Sequence, residues 1–163
     1  MHSQSPSSLL IYVDGSSRGN PGPSGIGIVV FDNVNQTKSI QEISRYIGTT
    51  TNNVAEYEAV ISALKWMVTS NKKCATIKLD SELVYCQITG KYKVRSHRMA
   101  VQLRRVKILE AKIANLSFQL VPRTDNKLAD RLAQKASKKT NPVGKPTINP
   151  IEPRRMLAIQ RGK

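Results

Sequence analysis

The sequence predicts an α/β domain with a mixed sheet, and three observations carry this. Short apolar runs of strand length alternate with longer stretches of helical periodicity, in the order βββαβααβα. The first three strands are joined by turns rich in Gly, Pro, Ser and Asn, as in an antiparallel meander. The later strands are separated by helices, and no segment repeats another.

Taken in order, residues 9–14 are a short apolar run, the first strand, and residues 15–25 a turn. Residues 25–31 form the second strand, the pair Asp32 and Asn33 turns the chain, and a third strand covers about 39–47. Residues 53–69 are helical, with Asn53 as the expected cap. A strand at 76–80 and a brief helix at 82–89 follow. The next helix, 98–114, has Val101, Val106, Ile108, Leu109 and Ile113 as its apolar members. A fifth strand at 117–121 leads to a final helix at 125–138, with Leu128, Leu132 and Ala136 on one stripe. The expected organisation is a flexible start (1–8), one folded unit (9–137) and a tail (138–163). In the tail, seven basic residues stand against the single acid Glu152, leaving +6. Its four prolines and lack of periodicity predict an unstructured arm.

Composition narrows the function. The chain has 163 residues, of which 39% are apolar and 23% charged, enough for one packed domain. No run approaches the ~18 apolar residues of a membrane span, and the polar start lacks a secretory pattern. Two cysteines, Cys74 and Cys86, are too few for a disulfide framework. A reducing, cytoplasmic setting is therefore expected. Lys plus Arg is 26 against 11 acids, a formal charge of +15 that argues for a polyanionic partner, most simply nucleic acid. The densest basic stretch, residues 91–112, has eight basic residues against Glu110 alone and reads as a phosphate-facing surface.

With so few acids, their placement is informative. Asp14 and Asp80 close two strands, and the carboxyl ends of strands are where ligand sites gather in α/β sheets. Each taken alone is as compatible with a turn or a helix cap. On the helix at 53–69, Glu58, Ser62, Lys65 and Thr69 define a wet stripe. Glu56 lies about 160° from Glu58 and shares its side with Val60, Ala63 and Met67. Capping alone does not require that core-facing side. Asp130 stands at the edge of the last helix's apolar stripe. Converging carboxylates repel one another unless protonated or bridged by cations, and hard oxygen ligands suit Mg²⁺. Two such ions could clamp a phosphodiester. Glycosidase chemistry also uses paired acids, but it leaves +15 unexplained, and aromatics are scarce. The two histidines, His2 and His97, make no Ser-His-Asp or Cys-His arrangement plausible, and residues 15–25 lack a P-loop's closing Gly-Lys-Ser/Thr.

Four segments then carry a resemblance. The run Tyr12-Val-Asp-Gly-Ser-Ser-Arg-Gly-Asn-Pro-Gly-Pro-Ser-Gly-Ile-Gly resembles the opening of type 1 ribonuclease H. So, in the family's order, do Thr51-Asn-Asn-Val-Ala-Glu56-Tyr, Leu79-Asp80-Ser81 and Arg123-Thr-Asp-Asn-Lys-Leu-Ala-Asp130. The resemblance implies a ribonuclease H-like fold, a five-stranded mixed sheet flanked by helices. It implies hydrolysis of the RNA strand of RNA/DNA hybrids by two metal ions, Mg²⁺ with Mn²⁺ as substitute. By position, Asp14, Glu56, Asp80 and Asp130 become the four catalytic, metal-site acids. Gly19, Asn20, Thr51, Asn52 and Asn53 fall in the substrate groove, where amides can read sugar hydroxyls; the 2′-OH is the handle that distinguishes RNA from DNA.

Two departures from the family pattern are visible. The long basic insertion of many bacterial members is missing, so Lys91, Lys93, Arg95 and the following helix are expected to supply a reduced grip on the hybrid. No histidine follows His97, and Arg123 stands near the place of the usual loop histidine. An Arg cannot serve as a base near neutral pH but can hold a phosphate. Two alternatives stay open at this stage. One is a non-catalytic basic nucleic-acid-binding module on the same fold. The other is a related nuclease also acting on double-stranded RNA. A free-standing monomer without membrane contact is the expectation.

Overall fold

The structure, a computed structural model, describes residues 8–139. The expected tail, apart from Lys138 and Lys139, and all but the last residue of the expected start lie outside the described residues. Five strands are present: β1 (Leu9–Ser17), β2 (Gly22–Asp32), β3 (Gln41–Thr50), β4 (Cys74–Leu79) and β5 (Asn115–Leu120). Four α-helices accompany them: α1 (Asn52–Thr69), α2 (Glu82–Ile88), α3 (His97–Glu110) and α4 (Lys127–Ser137). The sheet order is β3-β2-β1-β4-β5. The meander β1-β2-β3 is antiparallel, whereas β1 with β4 and β4 with β5 run parallel. The sheet is thus mixed and five-stranded, as expected.

Alternation along the strands sorts side chains onto two faces. Leu9, Ile11 and Val13 of β1, Ile26, Ile28 and Val30 of β2 and Ala75, Ile77 and Leu79 of β4 form the core with Val60, Leu64 and Met67 of α1. The opposite face of β1 and β2 carries α4. Two glycines of β2 set how close α4 can come. A Cβ on Gly27 would overlap the carbonyl oxygen of Ala129, and one on Gly25 would strike Ser137 and Ala133. This contact explains a difference from the leucine stripe expected on the last helix. The buried residues of α4 are Ala129, Ala133, Ala136 and Ser137, while Leu128 is 47% exposed. At such a short separation only small side chains fit between helix and sheet.

Other boundaries shift for local reasons. β1 and β2 run on through much of the expected turn, leaving residues 18–21 to connect them. The cap of α1 is Thr51, whose Oγ1 accepts from the Val54 amide at 3.3 Å, and not Asn53. The wet stripe of α1 is narrower than its sequence implies. Ser62 is buried and accepts from Arg45 Nη2 at 2.6 Å, because α3 and β3 close over that side. On α3 the buried residues are Met99 and Val106, whereas Val101 and Ile108, expected as apolar core members, are 44% and 55% exposed. The last helix begins later than expected: a single 3₁₀ turn (Arg123–Asp125) precedes it and Asn126 sits at its start.

Candidate active site

Three segments converge at one end of the sheet. Gly15 of β1 lies so close to the start of α1 that a Cβ there would overlap the backbone of Ala55 and Glu56. Asp14, beside Gly15, is thereby brought against Glu56 in the second turn of the helix. Asp80 follows the last residue of β4, and Ser81 caps α2, its Oγ accepting from the Val84 amide at 3.4 Å. A buried hydrogen bond from Tyr57 Oη to Gln87 Oε1, 2.7 Å, ties α1 to α2 behind them.

The outcome is a compact carboxylate group. One oxygen from each of Asp14, Glu56 and Asp80 lies within 4.8 Å of the others. Asp14 and Glu56 are buried, Asp80 is half-buried. Burial pushes the Asp14 carboxyl far above the usual carboxylate range, reinforced by the charge of Glu56, by its side-chain contact and by Asp80 and Asp130. Burial also raises Glu56, and the Asp80 charge adds to this; contacts with Asp14 and the Gly15 amide, together with the Arg123 charge, pull it partly back. Without a counter-charge the buried pair retains protons near neutral pH. Glu56 Oε2 is buried with no hydrogen-bond partner. A divalent cation fits this donor set: all ligands are hard oxygens, and a cation removes both the repulsion and the orphaned acceptor.

The fourth acid stands beside this group. Asp130 is in the first turn of α4, close enough to act on Asp14, and both its oxygens accept from Gln134 Nε2, at 3.0 and 2.9 Å. Of the four acids singled out in the sequence, three therefore gather and the fourth adjoins them. The residues expected to line a substrate groove lie at the same end. Asn20 Oδ1 accepts from the Asn52 amide at 3.1 Å, joining the turn that holds Gly19 to the start of α1. Asn52 and Asn53 are exposed there, and Thr51 is spent on the cap. Arg123 is exposed, with its charge felt at Glu56. Lys91, Lys93 and Arg95 lie on the exposed loop before α3, and none pairs with an acid among the described residues.

Asn126 was given no role in the sequence, yet its side chain lies within the carboxylate neighbourhood. Its Nδ2 donates to Val13 O at 2.9 Å and to Asp80 Oδ2 at 3.1 Å. Gln134 was likewise unassigned. Spacing held the signal for both: residues four before and four after Asp130 share its helix face.

A family model described as reverse transcriptase-like matches residues 12–136. A bifunctional protein of Mycobacterium tuberculosis is 37% identical over 128 residues, covering 78% of this chain and 35% of that protein. The chain thus spans about a third of the length of the first curated relatives it matches. The solved N-terminal ribonuclease H domain of that mycobacterial protein is 36% identical with a TM-score of 0.75, over 80% of this chain and 98% of the domain. The chain belongs to the type 1 ribonuclease H family. A ribonuclease H1 termed LC11, solved in complex with an RNA/DNA hybrid, is 39% identical with a TM-score of 0.74, covering 80% of this chain and 97% of that one. In this ribonuclease H Asp14 does not close its strand as expected but lies within β1, just past the end of the parallel pairing of β1 (Leu9–Tyr12) with β4, so that the carboxylate group stands where β1 is left paired with β2 alone and β4 ends. That is a general location for ligand sites in open α/β sheets.

Proposed function

We propose that this chain is a metal-dependent endonuclease that hydrolyses the RNA strand of RNA/DNA hybrids, acting as a monomer in the cytoplasm on two Mg²⁺ ions, with Mn²⁺ as substitute. The observation that carries this is the group of three carboxylate oxygens within 4.8 Å, two of the acids being buried. Such a cluster is unstable as three anions and becomes favourable around divalent cations. Membership of the ribonuclease H family and the hybrid bound to the related LC11 enzyme support the choice of substrate. None of the described helices is long and apolar enough to cross a membrane.

Asp14, Glu56, Asp80 and Asp130 would hold the ions. When bound, divalent cations supply charge neutralisation at the phosphodiester and make water a better nucleophile near neutral pH. The chain's own groups do the rest. Exposed amides of Asn52 and Asn53 and the turn holding Gly19 and Asn20 offer donors and acceptors to the sugar edge, where the 2′-OH marks the RNA strand. Arg123, near Glu56, holds a phosphate rather than moving a proton. The basic residues Lys91, Lys93, Arg95, Arg98 and Arg104 face solvent and attract the backbone electrostatically.

The test is a labelled RNA strand annealed to DNA, compared with the same RNA annealed to RNA. Each duplex is incubated with Mg²⁺, with Mn²⁺ and with EDTA. Cleavage of the hybrid that stops with EDTA is the expected result. Binding of both duplexes without cleavage in either metal would make this a basic binding module. Equal cleavage of both would widen the substrate to double-stranded RNA.

A further inference from the structure

We infer that Asn126 is a positioning residue for the acid group, locking together the three segments that carry Asp14, Asp80 and Asp130. This rests on the metal-site reading above and extends it to a side chain outside the four acids. Asn126 is 1% exposed. Its Nδ2 reaches Val13 O, one residue before Asp14, at 2.9 Å, and Asp80 Oδ2 at 3.1 Å. Its own carbonyl accepts from the Asp130 amide at 3.0 Å. One residue thus touches β1, the end of β4 and the first turn of α4.

Two further facts separate this from an ordinary helix start. Asn is a favoured N-cap because its side-chain oxygen accepts a first-turn amide. Asn126 stands at the N-cap position of α4 but makes no such bond. Its Oδ1 is instead buried without any partner. The amide cannot be turned round to relieve this. Val13 O is an acceptor only and so requires the NH₂ side, which brings the same nitrogen to Asp80 Oδ2. An orphaned buried acceptor is unfavourable, and here it accompanies an orientation that presents a donor to Asp80. A donor fixed on one carboxylate oxygen selects the rotamer of Asp80 and leaves the other oxygen for the cation, the usual function of groups behind metal ligands.

The experiment uses the full chain with Asn126→Ala and Asn126→Ser; the serine keeps a polar group but is too short to reach Asp80. Mn²⁺ alone is titrated into each by calorimetry, and folding in EDTA is followed by circular dichroism. The dissociation constant for Mn²⁺ is expected to rise about tenfold or more in both variants. The KM for hybrid should stay within about twofold. Unchanged Mn²⁺ affinity in a folded variant would overturn the inference. So would loss of the fold in both variants, which would give Asn126 a purely architectural role. If the unsubstituted protein itself binds no Mn²⁺, the metal-site reading fails first, and the inference falls with it.

Discussion

Asp14 is buried against Glu56 with Asp80 and Asp130 beside it, and two predictions belong to it and to Glu56. Asp14→Asn keeps the shape and removes a cation ligand. It should still bind hybrid in a gel-shift assay, because the phosphate-facing charges are untouched. Cleavage should fall on the order of a thousandfold; near-normal turnover would remove Asp14 from the metal site. The second prediction concerns stability. Asp14 and Glu56 titrate higher in the folded chain than in the unfolded one, Glu56 rising from 4.5 to about 7. Between those values the folded state holds more protons than the unfolded state, so stability must fall as pH rises. In EDTA the melting temperature should therefore drop between pH 5 and pH 8, and Mg²⁺ at pH 8 should restore it. A metal-free melting temperature that rises over this interval would contradict the burial argument.

Among the elements, the packing of α4 on β2 decides where Asp130 stands. Gly27→Ala would place a methyl into the Ala129 carbonyl, with backbone on both sides and no flexible side chain to yield. A loss of about 3 kcal/mol is expected, read as a lower urea midpoint at unchanged slope. An unaltered midpoint would show that α4 can move away freely. The same packing shows why helix faces were harder to read than the succession of elements. Leu128 and Leu132 dominate a hydrophobicity pattern, but separation from the sheet is set by glycines a hundred residues earlier, so the alanines are buried. Val101 and Ile108 misled in the same way, since α3 leans on α1 through Val106 and an Arg105–Glu58 ion pair. Periodicity identifies a helix, whereas its buried face depends on partners distant in the chain. The succession of strands and helices along the chain and the core-facing side of Glu56 were legible because both follow from local alternation and 100° steps.

At the scale of the whole molecule, acids from three separate segments meet and a fourth adjoins them, because the parallel pairing of β1 with β4 sets Asp14 beside Asp80 and Gly15 admits α1. The acids could be chosen from the sequence because they were few and misplaced for surface residues. Asn126 was passed over although it stands four residues before Asp130, because an uncharged amide beside a helix start looks like a cap until its hydrogen bonds are seen. Charge is the remaining global feature, and it is unevenly placed. Residues 138–163 hold +6 of the chain's +15. Each phosphate neutralised by a Lys or Arg releases counterions, so affinity for hybrid should fall with salt in proportion to the number of phosphates engaged. If the tail tethers the substrate, truncation after residue 137 should weaken hybrid binding at low salt. It should also flatten the slope of log affinity against log salt by about one for each phosphate that the tail had neutralised. Cleavage rate at saturating hybrid should stay close to that of the full chain, because the acids lie on the sheet and its helices. An unchanged salt slope after truncation would rule the tether out and leave hybrid recognition to the exposed basic residues of the loop before α3 and of α3 itself.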